Sequence, residues 1–384
     1  IYFFRLSTAL IKSVNRLLMK LLIEREQLLT PLNTVTSVVE RRQTLPILGN
    51  VLMQLENNTL TLVGTDLEVE TSIQTTVLEG SDGQCTATAR KLLDICRALP
   101  DNAKLEFSAA GGKLKIKSGQ SRFSLQTLPA ADFPRLETEN WEERVRLEQS
   151  ALRGLFDKTA FSMAQQDVRY FLNGVLIELD GDTINSVATD GHRLARSRTK
   201  LPSAAGSVRQ AIIPRKAVLE LGRFLADGGD EITLELNPNH VRFSRPGAQL
   251  TSKLIDGKFP DYKAVMSQVL SQKMVADREL LHEVLARTSV LTNEKYRGIR
   301  LDLSKGSLKL SAHNPDQEEA NDEVSVEYEG DSLEIGFNVT YLMDALRAMS
   351  TKTVEAELQD GNSGCMLHEP DDDDTLYLIM PMRL

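Results

Sequence analysis

The string ATDGHRLA, residues 188–195, comes nearest to chemistry. Its Asp190 carboxylate and His192 imidazole stand two positions apart and have the residue types of an acid–base pair. The same closing triplet recurs elsewhere with different groups: GTD at 64–66 has no histidine after it, and AHN at 312–314 has lost the aspartate. A strand end that recurs with changed chemistry reads as a turn or a binding rim, and an enzyme using Asp190 and His192 ranks behind that reading. The five histidines, His192, His240, His282, His313 and His368, are dispersed without ligand spacing. There is no glycine-rich phosphate loop, no H-E-x-x-H, no C-x-x-C and no G-x-S-x-G. QDGNSG (359–364) and the four aspartates at 371–374 read as exposed loops rather than a metal site. No catalytic residue, metal or cofactor is expected.

The elements around these strings decide the rest. The chain has 384 residues, 41% hydrophobic and 26% charged, which excludes a largely disordered chain and suits two or three domains. Its net charge of -9 excludes a uniformly basic nucleic-acid coat but not a local basic surface. Cys85, Cys96 and Cys365 are odd in number and scattered, which argues against a disulfide framework and suits a reducing cytoplasm. Residues 1–18 carry Arg5, Lys12 and Arg16 and no acid. They are too short and interrupted to span a bilayer and read as an extension upstream of a start at Met19. The remainder has no unbroken apolar run of that length and reads as soluble, without a membrane partner.

Three segments repeat one pattern: NVLMQLENNTLTLVGTD (50–66), GVLIELDGDTINSVATD (174–190) and GIRLDLSKGSLKLSAHN (298–314). Each alternates, turns and alternates again, as a β-hairpin does. Asp66, Asp190 and Asn314 are 124 apart in both steps (190 − 66 and 314 − 190). A helix-like stretch precedes each hairpin, at 24–35, 148–161 and 277–290, and another follows, at 89–100, 214–225 and 338–349. Pro214 fits the first turn of its helix. The expected organisation is α+β: three tandem similar domains at 19–140, 141–268 and 269–384, joined through the corners ADFPRL and GKFPDY and the stretches after them.

Three domains in line expose an unmatched surface at each end, which closes into a ring or grows a filament. Residues 1–18 contribute +3, the first domain −2, the second +2 and the third −12. Lys113, Lys115, Lys117 and Arg122 make the end of the first domain basic, and Asp316, Glu318, Glu319 and Asp322 make part of the third acidic. Opposite ends of opposite charge favour head-to-tail association. Helices carrying Arg90, Lys91 and Arg97, or Arg215, Lys216 and Arg223, are net basic in an acidic chain and suit a phosphate backbone.

ATDGHRLA stands with FSMAQQDVRYFLNG (161–174), SKLIDGKFPDY (252–262), IGFNVTY (335–341) and a terminal MPMRL, after TLPILGN (44–50) and TLPAADFP (127–134). In this order and spacing the chain resembles the bacterial sliding clamps, the beta subunits of DNA polymerase III, over residues 19–384. The resemblance implies the DNA clamp fold: a homodimeric ring of six domains, helices inside and antiparallel sheets outside. It implies encirclement of double-stranded DNA without sequence preference, no catalysis, and a cytoplasmic place. It implies as partners the polymerase III catalytic subunit, an ATP-dependent clamp loader, and other proteins with the clamp-binding motif, such as repair polymerases, mismatch repair proteins and ligase. A three-domain peptide-binding adaptor that does not encircle DNA is the alternative.

The resemblance also carries over residues. A pocket for a Gln-Leu-x-Leu-Phe type of peptide matches Thr189, Gly191, His192, Arg193, Leu194, Pro260, Val265, Leu378 and Met380. Its second lobe matches Arg169, Phe171, Leu172, Tyr341, Pro381, Met382 and Arg383. DNA contacts match Arg42, Arg90, Gln166, Tyr170, Arg215 and Lys216. The dimer seam matches Phe123 and Leu125 on one side and Val290 and Leu291 on the other, flanked by Lys91 and the charged sets Lys113, Lys115, Arg122 and Asp316, Glu318, Glu319, Asp322. Phe171, Asn362, Gly364 and the aspartates at 371–374 depart from the family pattern and are expected to bear on partner choice.

Overall fold

A computed structural model describes residues 19–40, 45–136, 140–225, 230–267 and 270–383; residues 1–18 and Arg42 lie outside these. The first repeat runs β1 (Lys20–Glu24), α1 (Arg25–Val38), β2 (Asn50–Glu56), β3 (Thr59–Thr65) and β4 (Val69–Thr76). After a short β5 (Glu79–Ser81) come β6 (Gly83–Thr88), α2 (Ala89–Ala98), β7 (Lys104–Ala110), β8 (Lys113–Ser118) and β9 (Ser121–Gln126). The second runs β10 (Glu143–Glu148), α3 (Gln149–Asp157), β11 (Gly174–Asp180), β12 (Thr183–Thr189) and β13 (Arg193–Lys200), then β14 (Arg209–Pro214), α4 (Arg215–Phe224), β15 (Glu231–Leu236), β16 (His240–Arg245) and β17 (Ala248–Lys253). A short helix α5 (Tyr262–Met266) leads to the third: β18 (Gln272–Asp277), α6 (Arg278–Thr288), β19 (Gly298–Ser304), β20 (Ser307–His313) and β21 (Glu319–Ser325). A two-residue β22 (Glu327–Tyr328) precedes β23 (Leu333–Asn338), α7 (Val339–Ala348), β24 (Thr353–Leu358), β25 (Cys365–His368) and β26 (Thr375–Ile379). Each repeat is therefore itself doubled: strand, helix and three strands, twice over.

The expected hairpins and helices are present, but most helices begin one residue later than expected, and α3 ends at Asp157 rather than 161. Pro214 ends β14, and α4 begins one residue later. Alternation explains the basic strand: along β8 the lysines 113, 115 and 117 face solvent while Leu114 and Ile116 are buried. Helical periodicity buries Leu28, Leu32, Val35 and Val38 of α1.

Among the described residues there are four sheets, and two of them run across repeat boundaries. The four orders are β5-β1-β7-β8-β9, β10-β15-β16-β17-β4-β3-β2-β6, β14-β11-β12-β13-β26-β25-β24-β18-β22 and β21-β20-β19-β23. β4 of the first repeat pairs antiparallel with β17, Ile73 opposite Ala248. In the same way β13 pairs with β26, Leu194 opposite Leu378. The compact units accordingly differ from the repeats: residues up to Arg146 form one with Leu219–Lys253, and Leu147–Val218 form the other with residues from Leu254 on. Backbone pairing at the sheet edges outweighs continuity of the chain.

The stretch between the first and second repeats is tied down. Arg135 forks onto the buried Glu70 at 3.0–3.1 Å, and Leu136 N donates to the same carboxylate at 2.9 Å. Trp141 lies under the Arg242 guanidinium, 4.4 Å from ring centroid.

α1 contains Pro31, which removes the N–H that the Gln27 carbonyl would accept. The Thr75 hydroxyl on β4 donates to that carbonyl at 3.2 Å instead. Thr75→Val is expected to cost about 1 kcal/mol in urea unfolding. In a Pro31→Ala background, where the helix supplies its own donor, the cost should largely vanish; an equal loss in both backgrounds refutes the compensation.

Candidate functional site

The Asp190 turn is built from its own side chains. Thr189 Oγ1 donates to Arg193 O at 2.6 Å and accepts from Gly191 N at 3.0 Å; Asp190 Oδ1 accepts from His192 N at 2.9 Å and Arg193 N at 3.1 Å. The first repeat makes the same turn, with Thr65 Oγ1 bonded to Val69 O and Asp66 Oδ1 accepting from Glu68 N and Val69 N. In the third, Asn314 Oδ1 accepts from Asp316 N and Glu318 N. The recurring Asp or Asn thus holds backbone N–H groups. Asp190 bonds the His192 backbone N–H, which is the work of a turn rather than of an acid–base pair.

Gly191 has φ +89°, yet its counterpart Leu67 adopts φ +77°. Backbone angle alone does not demand glycine. A Cβ at 191 would lie 2.8 Å from Arg169 Nη1, so the guanidinium end of that flexible side chain would have to shift. Arg169 forks onto Asp167, at 2.8 and 3.0 Å, and reaches Asp190 O at 3.1 Å. Its bonds hold the Asp167 carboxyl down at about 2.

Arg193 is half-buried and fully engaged. It bonds Asp190 Oδ2 at 3.1 Å, Asp344 Oδ2 at 2.7 Å and Phe161 O at 2.6 Å, and lies 4.5 Å from the Tyr341 ring centroid. It fixes the rim; it is not a free hydrogen-bond donor awaiting a ligand. Asp167, Asp190, His192, Tyr341, Gln166 and Arg215 line a polar cleft of about 520 Å³.

Beside the turn lies an apolar cluster. Leu176, Val187, Leu194, Ile212, Phe259, Tyr262, Met366 and Leu378 are buried together, with Phe171, Ile255 and Met266 packed against them. Leu172 is buried in a 3-10 turn next to Phe171. Val265 on α5 and Met380 after β26 stay exposed, at 38% and 37%, and Pro260 is exposed beside the buried Phe259. A Cβ on Gly364 would lie 2.6 Å from Leu378 Cδ1 and 3.3 Å from Met380 Sδ, so the absent side chain leaves that space to Leu378 and Met380. Pro381 follows Met380, half-buried. Met382 N donates to Gly336 O at 2.8 Å, and Met382 and Arg383 line a separate cavity of about 430 Å³ with Tyr296, Arg300 and His313.

Sequence reasoning missed what holds α5. Glu178, an acid inside the apolar strand β11, is buried and accepts from Tyr262 Oη at 2.7 Å, Lys263 Nζ at 2.8 Å and Gln210 Nε2 at 2.5 Å. Burial pushes its carboxyl up, but those three bonds win and lower it. Glu178, placed within the apolar run of GVLIELD, was the available signal, since a buried charge needs partners.

Among the basic candidates, Arg90 is exposed and bonds Val39 O at 3.1 Å, Lys91 is exposed, and Arg215 and Lys216 are half-buried. Gln166 has φ +56° in an exposed loop, and Tyr170, 58% exposed, meets Phe171 edge-on at 5.9 Å. Phe123 and Leu125 are half-buried on β9. Val290 is 75% exposed and Leu291 half-buried. Lys113, Lys115 and Arg122 are exposed, as are Asp316, Glu318 and Glu319. Asp322 is already bonded to Arg287 at 2.9 Å, and Glu323, exposed on the same strand, went unremarked in the sequence. The aspartates at 371–374 do not hang free: Asp374 pairs with Arg198 at 2.6 Å, and Asp373 O accepts from Arg196. The three cysteines are buried and unpaired, and burial pushes their thiols up to about 12. Among the described residues no cluster is placed to hold a metal, and no helix is long and apolar enough to cross a membrane.

Three family profiles match in order: the N-terminal domain of the DNA polymerase III beta subunit over residues 19–137, the central domain over 146–261 and the C-terminal domain over 263–383. With all three domains present, the chain belongs to the DNA polymerase III beta subunit family, the sliding clamps of DNA replication. The beta sliding clamp of Pseudomonas aeruginosa is 50% identical over 364 residues, covering 94% of this chain and 99% of that protein. That of Escherichia coli is 43% identical over 367 residues, covering 95% and 100%. A crystal structure of the Pseudomonas aeruginosa clamp bound to griselimycin superposes with a TM-score of 0.93 at 49% identity, covering 95% of this chain and 100% of that one.

The Glu178 cluster has a lowered carboxyl, so its stabilising contribution is full above the ordinary carboxylate range and is lost as pH falls through the lowered value. Tyr262→Phe is expected to cost about 1–3 kcal/mol at neutral pH, with the difference from the parent shrinking at acid pH. Equal melting curves at neutral pH would show that Tyr262 does not anchor α5.

Proposed function

We propose that two copies of this chain close head to tail into a ring that encircles duplex DNA and tethers the replicative polymerase, without catalysis of its own. The observation that carries this is the pair of unmatched sheet ends. Inside the chain the third strand of a repeat's first half pairs with the last strand of the next repeat: β4 with β17, and β13 with β26. The remaining members of that series, β21 and β9, end the four- and five-stranded sheets. Edges of this kind are templates for a partner strand, and a second copy supplies both. Carrying the register of Ile73 opposite Ala248 through the matching hairpins puts Ser121 opposite Asp322, Arg122 opposite Asn321 and Phe123 opposite Ala320. Arg122 then lies diagonal to Glu319 and Glu323, in keeping with a basic end meeting an acidic one.

The three-domain boundaries at 140 and 268 belong to this reading. So do backbone contacts from Arg42, Arg90, Gln166, Tyr170, Arg215 and Lys216, which suit a protein that slides. The apolar cluster around Leu194 and Leu378, with Val265 and Met380 at its mouth, suits the Leu and Phe anchors of a short partner motif. Arg169, Thr189, Gly191 and His192 form the adjoining rim. Partners of this kind are the polymerase III catalytic subunit, an ATP-driven clamp loader and other motif-bearing proteins, in the cytoplasm. Motif-bearing partners alone would also suit an adaptor, and DNA topology separates the two.

A protein loaded on nicked circular DNA is expected to dissociate when the circle is linearised and to remain when it is not. Retention on free ends would refute encirclement. At the seam, Arg122→Cys and Asn321→Cys together should give a covalent dimer under mild oxidation, and neither alone should. Monomer only from the double variant would overturn the strand register.

A further inference from the structure

The doubled architecture repeats the pocket as well as the strands, and the first copy is closed. Leu52, Val63 and Phe133 are buried together, with Ile47 packed against them. They occupy the positions that Leu176, Val187, Phe259 and Phe171 hold in the second junction, as the hairpin registers and the Phe-Pro corners show. The other lining positions change character. Thr65 lies opposite Glu70 as Thr189 lies opposite Leu194, so Glu70 replaces Leu194. Thr251 lies opposite Glu70, where Leu378 lies opposite Leu194, and Arg242 opposite Thr251, where Met366 lies opposite Leu378. Thr86, opposite Leu52, replaces Ile212, opposite Leu176.

These polar groups are spent within the chain. Glu70 is buried under the Arg135 fork at 3.0–3.1 Å and the Leu136 N–H. Arg242 bonds Glu235 at 2.6 Å and lies over Trp141. Thr86 Oγ1 donates to Leu128 O at 2.8 Å and accepts from Leu128 N at 3.0 Å. An incoming apolar anchor would have to displace a paired, buried carboxylate, which leaves a charge without a partner.

We propose that the Glu70–Arg135 ion pair is a specificity device that closes the first junction to the apolar motif and restricts each chain to one motif-binding pocket. Discrimination by a desolvated charge is stronger than discrimination by shape, because the wrong ligand meets a penalty rather than a looser fit. The proposal rests on the reading of the second junction as a peptide pocket.

The test is a titration of the full-length dimer with a fluorescent Gln-Leu-Ala-Leu-Phe peptide, read as stoichiometry. The parent should bind one peptide per chain, and Leu194→Ala should weaken that site at least tenfold. Glu70→Leu with Arg135→Leu exchanges the pair for apolar residues, and a further variant adds Thr251→Leu. At least one of these, with a melting curve like the parent's, should bind two peptides per chain, the second insensitive to Leu194→Ala. Two sites in the parent would overturn the proposal, as would one site in both variants. No site in the parent would instead refute the second-junction pocket and the proposal with it. Should the apolar variants fail to fold, Glu70→Gln with Arg135→Gln removes both charges while keeping polar side chains at both positions. That pair is then expected to admit a second, weaker peptide, and a stoichiometry of one overturns the proposal.

Discussion

Sheet edges are the constraint on which this chain depends. A strand with one unpaired row of N–H and C=O groups is a template for whatever strand arrives next. β4 and β13 meet this by accepting the last strand of the following repeat, and the two eight- and nine-stranded sheets result. The compact units therefore cut across the repeats, with Glu231–Leu236 and its two neighbours grouped with the first repeat. Repetition supplies identical edges, and identical edges need a rule for which one meets which. The terminal strands differ in charge, with lysines and Arg122 on β8 and β9 and acids on β21.

The connections between repeats are held by buried carboxylates. Glu70 clasps Arg135 and Leu136, Glu235 clasps Arg144 at the start of the second repeat, and Glu178 clasps Tyr262 and Lys263 after the second Phe-Pro corner. Each acid sits on a strand and reaches a residue near a repeat boundary. Each carboxylate is buried while its cation stays partly exposed, and a buried acid left without its partner is strongly destabilising. Placed at junctions, such a pair fixes where the chain turns from one repeat into the next, which apolar packing alone leaves adjustable.

The repeats, their helices and the hairpins were legible because period two and period 3.6 survive in the sequence. The doubling inside each repeat was not, since β7 to β9 share pattern but little residue identity with β2 to β4 and only pairing order reveals it. The carriers of the site were legible through the family strings, whereas their roles were not. Arg193 was expected at a pocket wall and its guanidinium is consumed by Asp190, Asp344 and Phe161. Met382 is matched to the second lobe of the pocket, and its backbone N–H is bonded to Gly336 of β23. Neither follows from spacing, because the Arg193–Asp344 and Met382–Gly336 contacts join residues far apart in sequence. Asp322 shows the same limit: its charge was visible, its pairing with Arg287 was not.

In a fold made by repetition, what repeats is structure, and function collects where repetition fails. The Asx turn recurs three times, at Asp66, Asp190 and Asn314, and each time its side-chain oxygen holds backbone N–H groups. Around one of the three the neighbours diverge. Leu67 becomes Gly191, admitting Arg169, and Glu70 becomes Leu194, admitting an apolar wall. His192 and Tyr341 border a polar cleft next to that wall. The net charge makes the same point. An average of -9 counts against a polyanion, yet the helices of the first two repeats expose Arg90, Lys91, Arg97 and Arg223. The acids concentrate in the third repeat, where β21 carries them to a sheet edge. A sum over the chain erases both, and only residue positions within a repeating frame recover them.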